Sequence, residues 1–491
     1  MKIAFVYSTY ESIGIEYISS VLKKEWHETK LFFDPRLFND IIVKNNFLSK
    51  IFSYKKRTIN DLIKYKPDLV LFSIVSADYK WACEYAKKIK QKINTKVIFG
   101  GIHVTSVPEK IIKHDFIDYI VIGEGISAIK DLVRALASNN PTDSIRNVWS
   151  KKNGKIIKNL VRPLIQDLEK LPYPDKELYK KHGEPFLTGY TIQTSHGCPM
   201  RCTFCSHDIY KNYYPNDKNY IRKRSIKNVI AELGDAHYKY KYKYIRFFDD
   251  DFVRDAKRLE IFSKQYRKYI NIPYTCIAHP ETINEKTIKS LQLSNCKQIN
   301  LGFENIDENI RKDILKRYDK NEDIIKALLL LKNADIRSIV DFMMGIPTAN
   351  EKNIEDNFKF FYKYTPTRIF ILWLQYMPRT EICNIAFNKG VLDKKSISDI
   401  EENPYSRSIL TVDKRVHNTK MIKYNILFVS LVISKKLATL LYKTKLYKLI
   451  PSNLAIFLSV IENIKSWKNY EHEQIRNFKR YIYFIFRKIT L

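Results

Sequence analysis

The stretch "TSHGCPMRCTFCSHD", residues 194–208, sets three of the chain's seven cysteines, Cys198, Cys202 and Cys205, within eight positions. Close-set thiolates bind soft metals, and it is the odd count that discriminates. A structural zinc site wants four ligands, commonly as C-x2-C pairs roughly a dozen residues apart. Here the spacing is three then two and no second pair follows, so zinc would have to recruit His196 or His207. The competing reading is a [4Fe–4S] cluster, with three thiolates on three irons and the fourth iron open. The other cysteines, Cys83, Cys276, Cys296 and Cys383, are scattered singly. That is the usage of a reducing compartment, so a cytoplasmic location is expected.

Downstream of this loop, strand-like runs end in small or acidic residues at regular intervals. "YTIQTS" (190–195) leads into the cysteines, and "YKYIRFFDDD" (242–251) ends in three carboxylates. "KQINLGFEN" (297–305) ends in Gly302-Phe303-Glu304, and "SIVDFMMGIP" (338–347) in Gly345-Ile346-Pro347. Helical stretches such as "NEDIIKALLLLKNADI" separate them. In barrels built this way the working residues come from the C-terminal ends of several strands. Each motif also has a plain structural reading: helix N-caps for one or two of Asp249–Asp251, a salt-bridged rim for Glu304, a turn for Gly345 and Pro347.

Upstream, "KIAFVYS" (2–8), "PDLVLFSI" (67–74), "KVIFGG" (96–101) and "DYIVIGEG" (118–125) read as strands, with helices such as 13–25 between them. This alternation argues for a parallel sheet covered on both faces. Ligands of such sheets sit beyond the C-terminal strand ends, where Ser8-Thr9, Ser73, Gly100-Gly101 and Gly123-Glu124-Gly125 lie. Those glycines suit either a close ligand or tight turns. Neither a G-x-G-x-x-G nor a G-x-x-x-x-G-K-[ST] is present, which argues against a dinucleotide and a P-loop.

The Cys-x3-Cys-x2-Cys spacing, with the aromatic Phe204 before the third cysteine, resembles the signature of radical S-adenosylmethionine (SAM) enzymes. The resemblance implies a partial (β/α)6 barrel and a [4Fe–4S] cluster on Cys198, Cys202 and Cys205, with SAM on the open iron. It places Asp249 or Asp250 at the SAM ammonium, Glu304 at the ribose, and Gly345 and Pro347 around the adenine, with Phe204 beside the cluster. The usual GGE after the second strand is replaced by "FFDDDF", which resembles a branch carrying an N-terminal cobalamin-binding domain. "GGIHVTSVPE" (100–109) and "DYIVIGEGISAIKDLV" (118–133) resemble that domain's fourth and fifth strands.

The implied architecture is α/β. It has a doubly wound, flavodoxin-like cobalamin-binding sheet over 1–135, a linker over 136–189, the barrel over 190–390, and a mainly helical basic region over 391–491. Cobalamin would meet Ser8, Thr9, Gly14, Ser73, Gly100, Gly101, Gly123 and Glu124. The D-x-H-x-x-G motif that ligates cobalt elsewhere is missing, and His103 stands in another place, so the lower axial ligand stays open. The implied activity is radical C-methylation of an unactivated carbon; oxidation or cyclisation without methyl transfer and RNA modification are the alternatives. An external electron donor such as flavodoxin or ferredoxin is implied, no nucleic-acid partner is expected, and no general base is nominated.

The net charge of +32 fits nucleic acid, a membrane surface, an acidic ligand or a basic compositional drift. It concentrates in the tail: residues 414–491 hold 16 Lys/Arg against three Glu. The apolar runs "YNILFVSLVIS" (424–434) and "LIPSNLAIFLSVI" (449–461) are shorter than the ~20 residues of a spanning helix. Two readings stay open for them: peripheral association with a membrane, which would suit a lipid substrate, or a helical cover over the barrel mouth.

Overall fold

Val, Ile and Phe at interior positions of "KIAFVYS" build the first strand of a sheet that is apolar on both faces, as a parallel sheet between helices must be. A computed structural model describes residues 1–8, 10–40, 44–183, 189–215, 219–402, 404, 419–450 and 472–489. In it Lys2–Ser8 (β1) pairs in parallel with Glu28–Asp34 (β2) on one side and Leu69–Ser73 (β3) on the other. Lys96–Gly100 (β4) and Tyr119–Val121 (β5) continue the parallel set. The order β2-β1-β3-β4-β5 reverses direction between β1 and β3, which is where such sheets bind ligands.

Two antiparallel strands, Val148–Lys152 (β6) and Lys155–Ile157 (β7), then extend this sheet. They arise within 136–189, so that stretch is only partly a connection. Asn153 and Gly154, both at positive φ, close the two-residue turn between them. β2 is the other strand that the reading of the N-terminal third omitted.

The second sheet begins at Tyr190–Ile192 (β8). A short antiparallel ribbon, Ser195–His196 (β9) with Arg222–Lys223 (β10), brackets the cysteine loop. Ile245–Phe247 (β11), Tyr274–Ala278 (β12), Cys296–Glu304 (β13), Arg337–Met344 (β14) and Arg368–Trp373 (β15) complete a six-stranded parallel sheet, ordered β15-β14-β13-β12-β11-β8. This is the expected partial barrel. β12 and β15 went unrecognised in the sequence because neither ends in a glycine or acidic motif.

The described parts of the tail are helical, as expected, and they pack on protein. The helix Tyr424–Ile433 is apolar all round and buried from Tyr424 through Leu431. Phe428 meets Phe342, Phe358 and Phe361 with ring centroids 4.8, 5.9 and 6.1 Å away. A helix buried on every face is core, so this run presents no membrane-facing side. Residues 451–461 of the second run lie outside the described residues. The final helix, His472–Ile489, packs on the first domain and not on the barrel mouth. Phe484 lies 5.7 Å from Phe33 and from Tyr54, whose hydroxyl donates to the Phe484 carbonyl at 2.6 Å. Burying Phe484 contributes about 2 kcal/mol. Arg480 pairs with Asp40 at 2.7 Å, both side chains buried. Among the described residues no helix is long and apolar enough to cross a membrane.

Candidate functional site

The cysteine loop leaves β9 through Gly197, whose φ of +90° and contact with the Tyr220 carbonyl leave no room for a β-carbon. Its centre is pinned by Thr203, whose N–H donates to the Leu315 carbonyl at 3.2 Å and whose hydroxyl donates to that of Ile314 at 2.7 Å. The Thr203 carbonyl in turn accepts from the Ile382 N–H at 3.0 Å. Lys211, on the helix Ser206–Tyr213, donates to the Met200 carbonyl at 2.6 Å. Cys198 and Cys202 are buried and Cys205 half-buried, all as free thiols. Burial raises Cys198 to about 11 and Cys202 to about 12, and raises Cys205 as well; Cys205 also lifts the other two, and Cys198 lifts Cys202. Thiols so placed ionise when a metal supplies the compensating charge. Among the described residues no three His, Cys, Asp or Glu side chains converge on a single-ion site. In a four-iron cluster each thiolate ligates a different iron.

The three aspartates after β11 separate into different roles. Asp249 is buried and accepts from the Thr194 N–H (3.1 Å), the Thr194 hydroxyl (2.8 Å) and the Ser195 hydroxyl. Burial raises its pKa against these bonds. Its oxygens therefore fasten the end of β11 to the start of the cysteine loop. Asp251 is taken by Arg254 at 2.8 Å, and Arg254 also meets Glu281. Asp250 is more open, pairs with His207 Nε2 at 3.0 Å, and lies within electrostatic reach of Cys198 and Cys205. His207 is thus an aspartate partner, its other nitrogen held by Tyr220 at 2.8 Å.

Glu304 ends β13 with φ +64° and is buried, its pKa raised by desolvation and opposed by Arg317. The Arg317 guanidinium stands 3.6 Å from Glu304 and 2.9 Å from Asp319, and donates to the Gly302 carbonyl at 2.7 Å. His279 Nδ1, just past β12, lies 3.2 Å from it. Arg317, Asp319 and His279 were not singled out in the sequence: the first two lie in an irregular loop, and His279 ends an unrecognised strand. Gly345, at φ +75°, and Pro347 follow β14. Phe204 packs in one apolar cluster with Ile310, Met343, Ile346 and Leu374, which brings the cysteine loop against the Gly345–Pro347 turn.

In the first domain, Ser8 and Ser73 end β1 and β3 and flank the switch point. A β-carbon on Gly14 would meet only the Ser12 hydroxyl, at 3.9 Å, and Gly100 ends β4. Thr9 lies outside the described residues. The remaining candidates are occupied by the protein itself. A β-carbon on Gly101 (φ +97°) would strike the Ile74 backbone, and one on Gly123 (φ +69°) the Tyr214 hydroxyl. Glu124 pairs with Arg222 at 2.8 Å and accepts the Ile165 N–H at 2.8 Å. Gly101, Gly123 and Glu124 thus each have a partner within the protein. His103 is fully buried, its Nδ1 3.0 Å from the Ser76 hydroxyl and its ring on Tyr79.

These contacts turn the C-terminal end of the first sheet toward the cysteine loop. Glu11, in the turn after β1, accepts from Thr191 of β8 at 2.9 Å and from the buried Lys176 at 2.9 Å. His196 stands edge-on to Tyr17 of the helix Ile13–Lys24, centroids 6.3 Å apart. Tyr213 donates to the Thr105 carbonyl at 2.9 Å.

Comparison with known proteins agrees with this two-part site. The radical SAM superfamily model matches residues 192–361, and the B12 binding domain model matches residues 3–133. The chain is 30% identical over 363 residues to an uncharacterized methyltransferase of Pyrococcus horikoshii, covering 72% of this chain and 73% of that protein. It is 24% identical over 411 residues to the anaerobic magnesium-protoporphyrin IX monomethyl ester cyclase of Rubrivivax gelatinosus, covering 77% and 68%. Its fold matches the solved cobalamin-dependent S-adenosylmethionine radical enzyme OxsB with a TM-score of 0.65 at 15% identity, over 100% of this chain and 80% of that one.

Proposed function

The chain belongs to the radical SAM enzymes that carry a B12 binding domain, and on that premise we propose that it methylates an unactivated carbon of a hydrophobic small molecule, with lipids among the candidate substrates. The observation that carries the reading is the cysteine loop's position, beside the first domain and under the strand ends of the second.

The residues present fit the three groups this requires. Cys198, Cys202 and Cys205 are the donor set for a [4Fe–4S] cluster with one open iron. Asp250, Glu304 and the bare backbone at Gly345 suit SAM, and Ser8, Gly14, Ser73 and Gly100 border the crevice for cobalamin. When bound, these groups supply an electron, a hydrogen-abstracting radical and a methyl carrier, and the electron comes from an external flavodoxin- or ferredoxin-type donor.

The chain's own contribution is to orient and to exclude water. Thr203 and Asp249 fix the loop from both sides. Phe204, Met343, Ile346 and Leu374 give the cluster's surroundings an apolar wall, the lining a hydrophobic substrate asks for. No residue is assigned as a general base.

Oxidation or cyclisation without methyl transfer is the second reading, favoured by the likeness to the Rubrivivax cyclase. The test is anaerobic reconstitution with iron, sulfide, SAM and cobalamin, followed by turnover on fractionated hydrophobic extracts. S-adenosylhomocysteine formed together with 5′-deoxyadenosine supports methylation. Deoxyadenosine alone replaces it with the second reading.

A further inference from the structure

A cavity of about 480 Å³ lies on the opposite margin of the first domain and uses none of the residues assigned above. It runs along Thr29–Phe33 of β2, walled by the helix Lys55–Tyr65, by Leu178–His182 and by the final helix at Phe484 and Arg487. That volume is typical of small-molecule sites. Aromatic side chains line it on both faces of β2, Phe32 and Tyr65 on one and Phe33 and Tyr54 on the other.

Charge around these rings is mostly positive: of the two lining carboxylates, Asp61 faces Arg57 and Glu177 pairs with Lys239 at 2.9 Å. Two of the lining cations are neutralised, Lys23 by Asp175 at 2.6 Å and Arg57 by Asp61 at 3.8 Å. Four others, Lys30, Lys64, Lys181 and Arg487, meet no carboxylate among the described residues. The Lys30 ammonium instead lies over the rings of Phe32 and Tyr65, 5.3 and 5.1 Å from their centroids. β2 is moreover the edge strand of its sheet. The Leu31 carbonyl points outward to His182 Nε2 at 3.0 Å, and the Leu31 N–H shares that outward side, as both groups of one strand residue do. The cavity thus offers four uncompensated cations and a main-chain donor at a strand edge flanked by aromatic rings.

We propose that this cavity is a binding site for a phosphate ester, its anionic phosphate held at the β2 edge by Lys30, Lys64, Lys181 and Arg487 and its apolar body laid against the aromatic side chains of one face. Phosphate takes several charge-assisted hydrogen bonds at once, which matches cations reaching in from four separate segments. Such a group belongs either to a soluble phosphomonoester or to a phospholipid headgroup.

Calorimetric titration of the full chain distinguishes these sources. The probes are phenyl phosphate, glycerol 3-phosphate, and vesicles of phosphatidylglycerol set against vesicles of phosphatidylcholine. The variants are Lys30→Glu/Lys181→Glu and, separately, Lys64→Gln/Arg487→Gln, with thermal melts to show that each remains folded. The expected result is binding of phenyl phosphate to the unmodified chain, weakened at least about tenfold in both variants. Binding of phosphatidylglycerol vesicles alone, lost in the same variants, assigns the phosphate to a lipid. Failure of every probe to bind, or binding that both variants retain, overturns the proposal.

Discussion

The phenol of Tyr214 fills the space that a β-carbon on Gly123 would occupy, and its hydroxyl receives the Glu124 N–H at 3.0 Å. Tyr214 directly follows the helix that leaves the cysteine loop, whereas Gly123 ends the strand region of the first domain. The seam between the two domains therefore closes on a glycine. Gly123→Ala meets both a positive φ of 69° and an occupied site, and it is expected to cost about 2–3 kcal/mol. Gly154→Ala, at φ +73° with nothing within 4 Å, is expected to cost about 1 kcal/mol. Urea unfolding of the two variants side by side checks the difference.

Cys198→Ala, Cys202→Ala and Cys205→Ala are each expected to abolish cluster assembly and SAM cleavage. Cys276→Ala, buried in an apolar cluster away from the loop, is expected to leave both intact. Iron and sulfide content after anaerobic reconstitution, with 5′-deoxyadenosine release, reads the outcome. Full activity in any of the first three variants would sink the cluster assignment.

Local chemistry was legible in the sequence wherever one short motif carried it. The Cys-x3-Cys-x2-Cys loop, the apolar strands of the first sheet and the glycine-ended strands of the second are such motifs. What escaped depends on partners distant in the chain. Gly101 and Gly123 look alike as strand-end glycines, yet Ile74 and Tyr214, the groups that need the space, are visible only in three dimensions. Asp249, Asp250 and Asp251 are adjacent and chemically equal, and only Thr194, His207 and Arg254 separate their roles. The run 424–434 has a composition equally suited to a lipid surface and to protein core, and Phe342, Phe358 and Phe361 decide for the core.

That division of the aspartates has a measurable consequence. Asp249→Asn loses the charge that three donors converge on and turns one acceptor oxygen into a donor. An expected loss of about 2–3 kcal/mol follows. Asp250→Asn keeps the fold, because its partner His207 is half-buried and also held by Tyr220. Denaturation midpoints should separate the two variants, and weakened SAM binding without loss of stability in Asp250→Asn would place that carboxylate at the cofactor.

Acid should destabilise the first domain through His103. Burial lowers its pKa from the ordinary 6.5 to about 3, so the folded chain keeps the ring neutral. The unfolded chain binds a proton once the pH falls below 6.5, and the stability held above that value drains away as pH drops toward 3. At pH 5 the loss from this one ring is about 2 kcal/mol. The half-buried His182, lowered to about 4 by burial, adds in the same direction. Raised carboxylates such as Asp249 and Glu304 act oppositely, so the informative quantity is the difference between the parent and His103→Gln. The variant should lose less stability than the parent between pH 7 and pH 5; equal losses would show that His103 is not the titrating group.

Arg317 supplies the most demanding test of the barrel-end network. Its side chain is almost wholly buried, faces Glu304 and Asp319 at 3.6 and 2.9 Å, and also serves the Gly302 carbonyl. Arg317→Met leaves two buried carboxylates without a counter-charge, a change expected to cost about 3–5 kcal/mol. Arg317→Lys keeps one charge but cannot reach Glu304, Asp319 and the carbonyl together, so its cost should fall between those of the parent and Arg317→Met. Adding Glu304→Gln to Arg317→Met removes one stranded charge and should recover part of the loss, giving a favourable coupling in a double-mutant cycle. A cycle that closes additively would mean that Arg317 and Glu304 do not sense each other, and the ion-pair account of this strand end would fall.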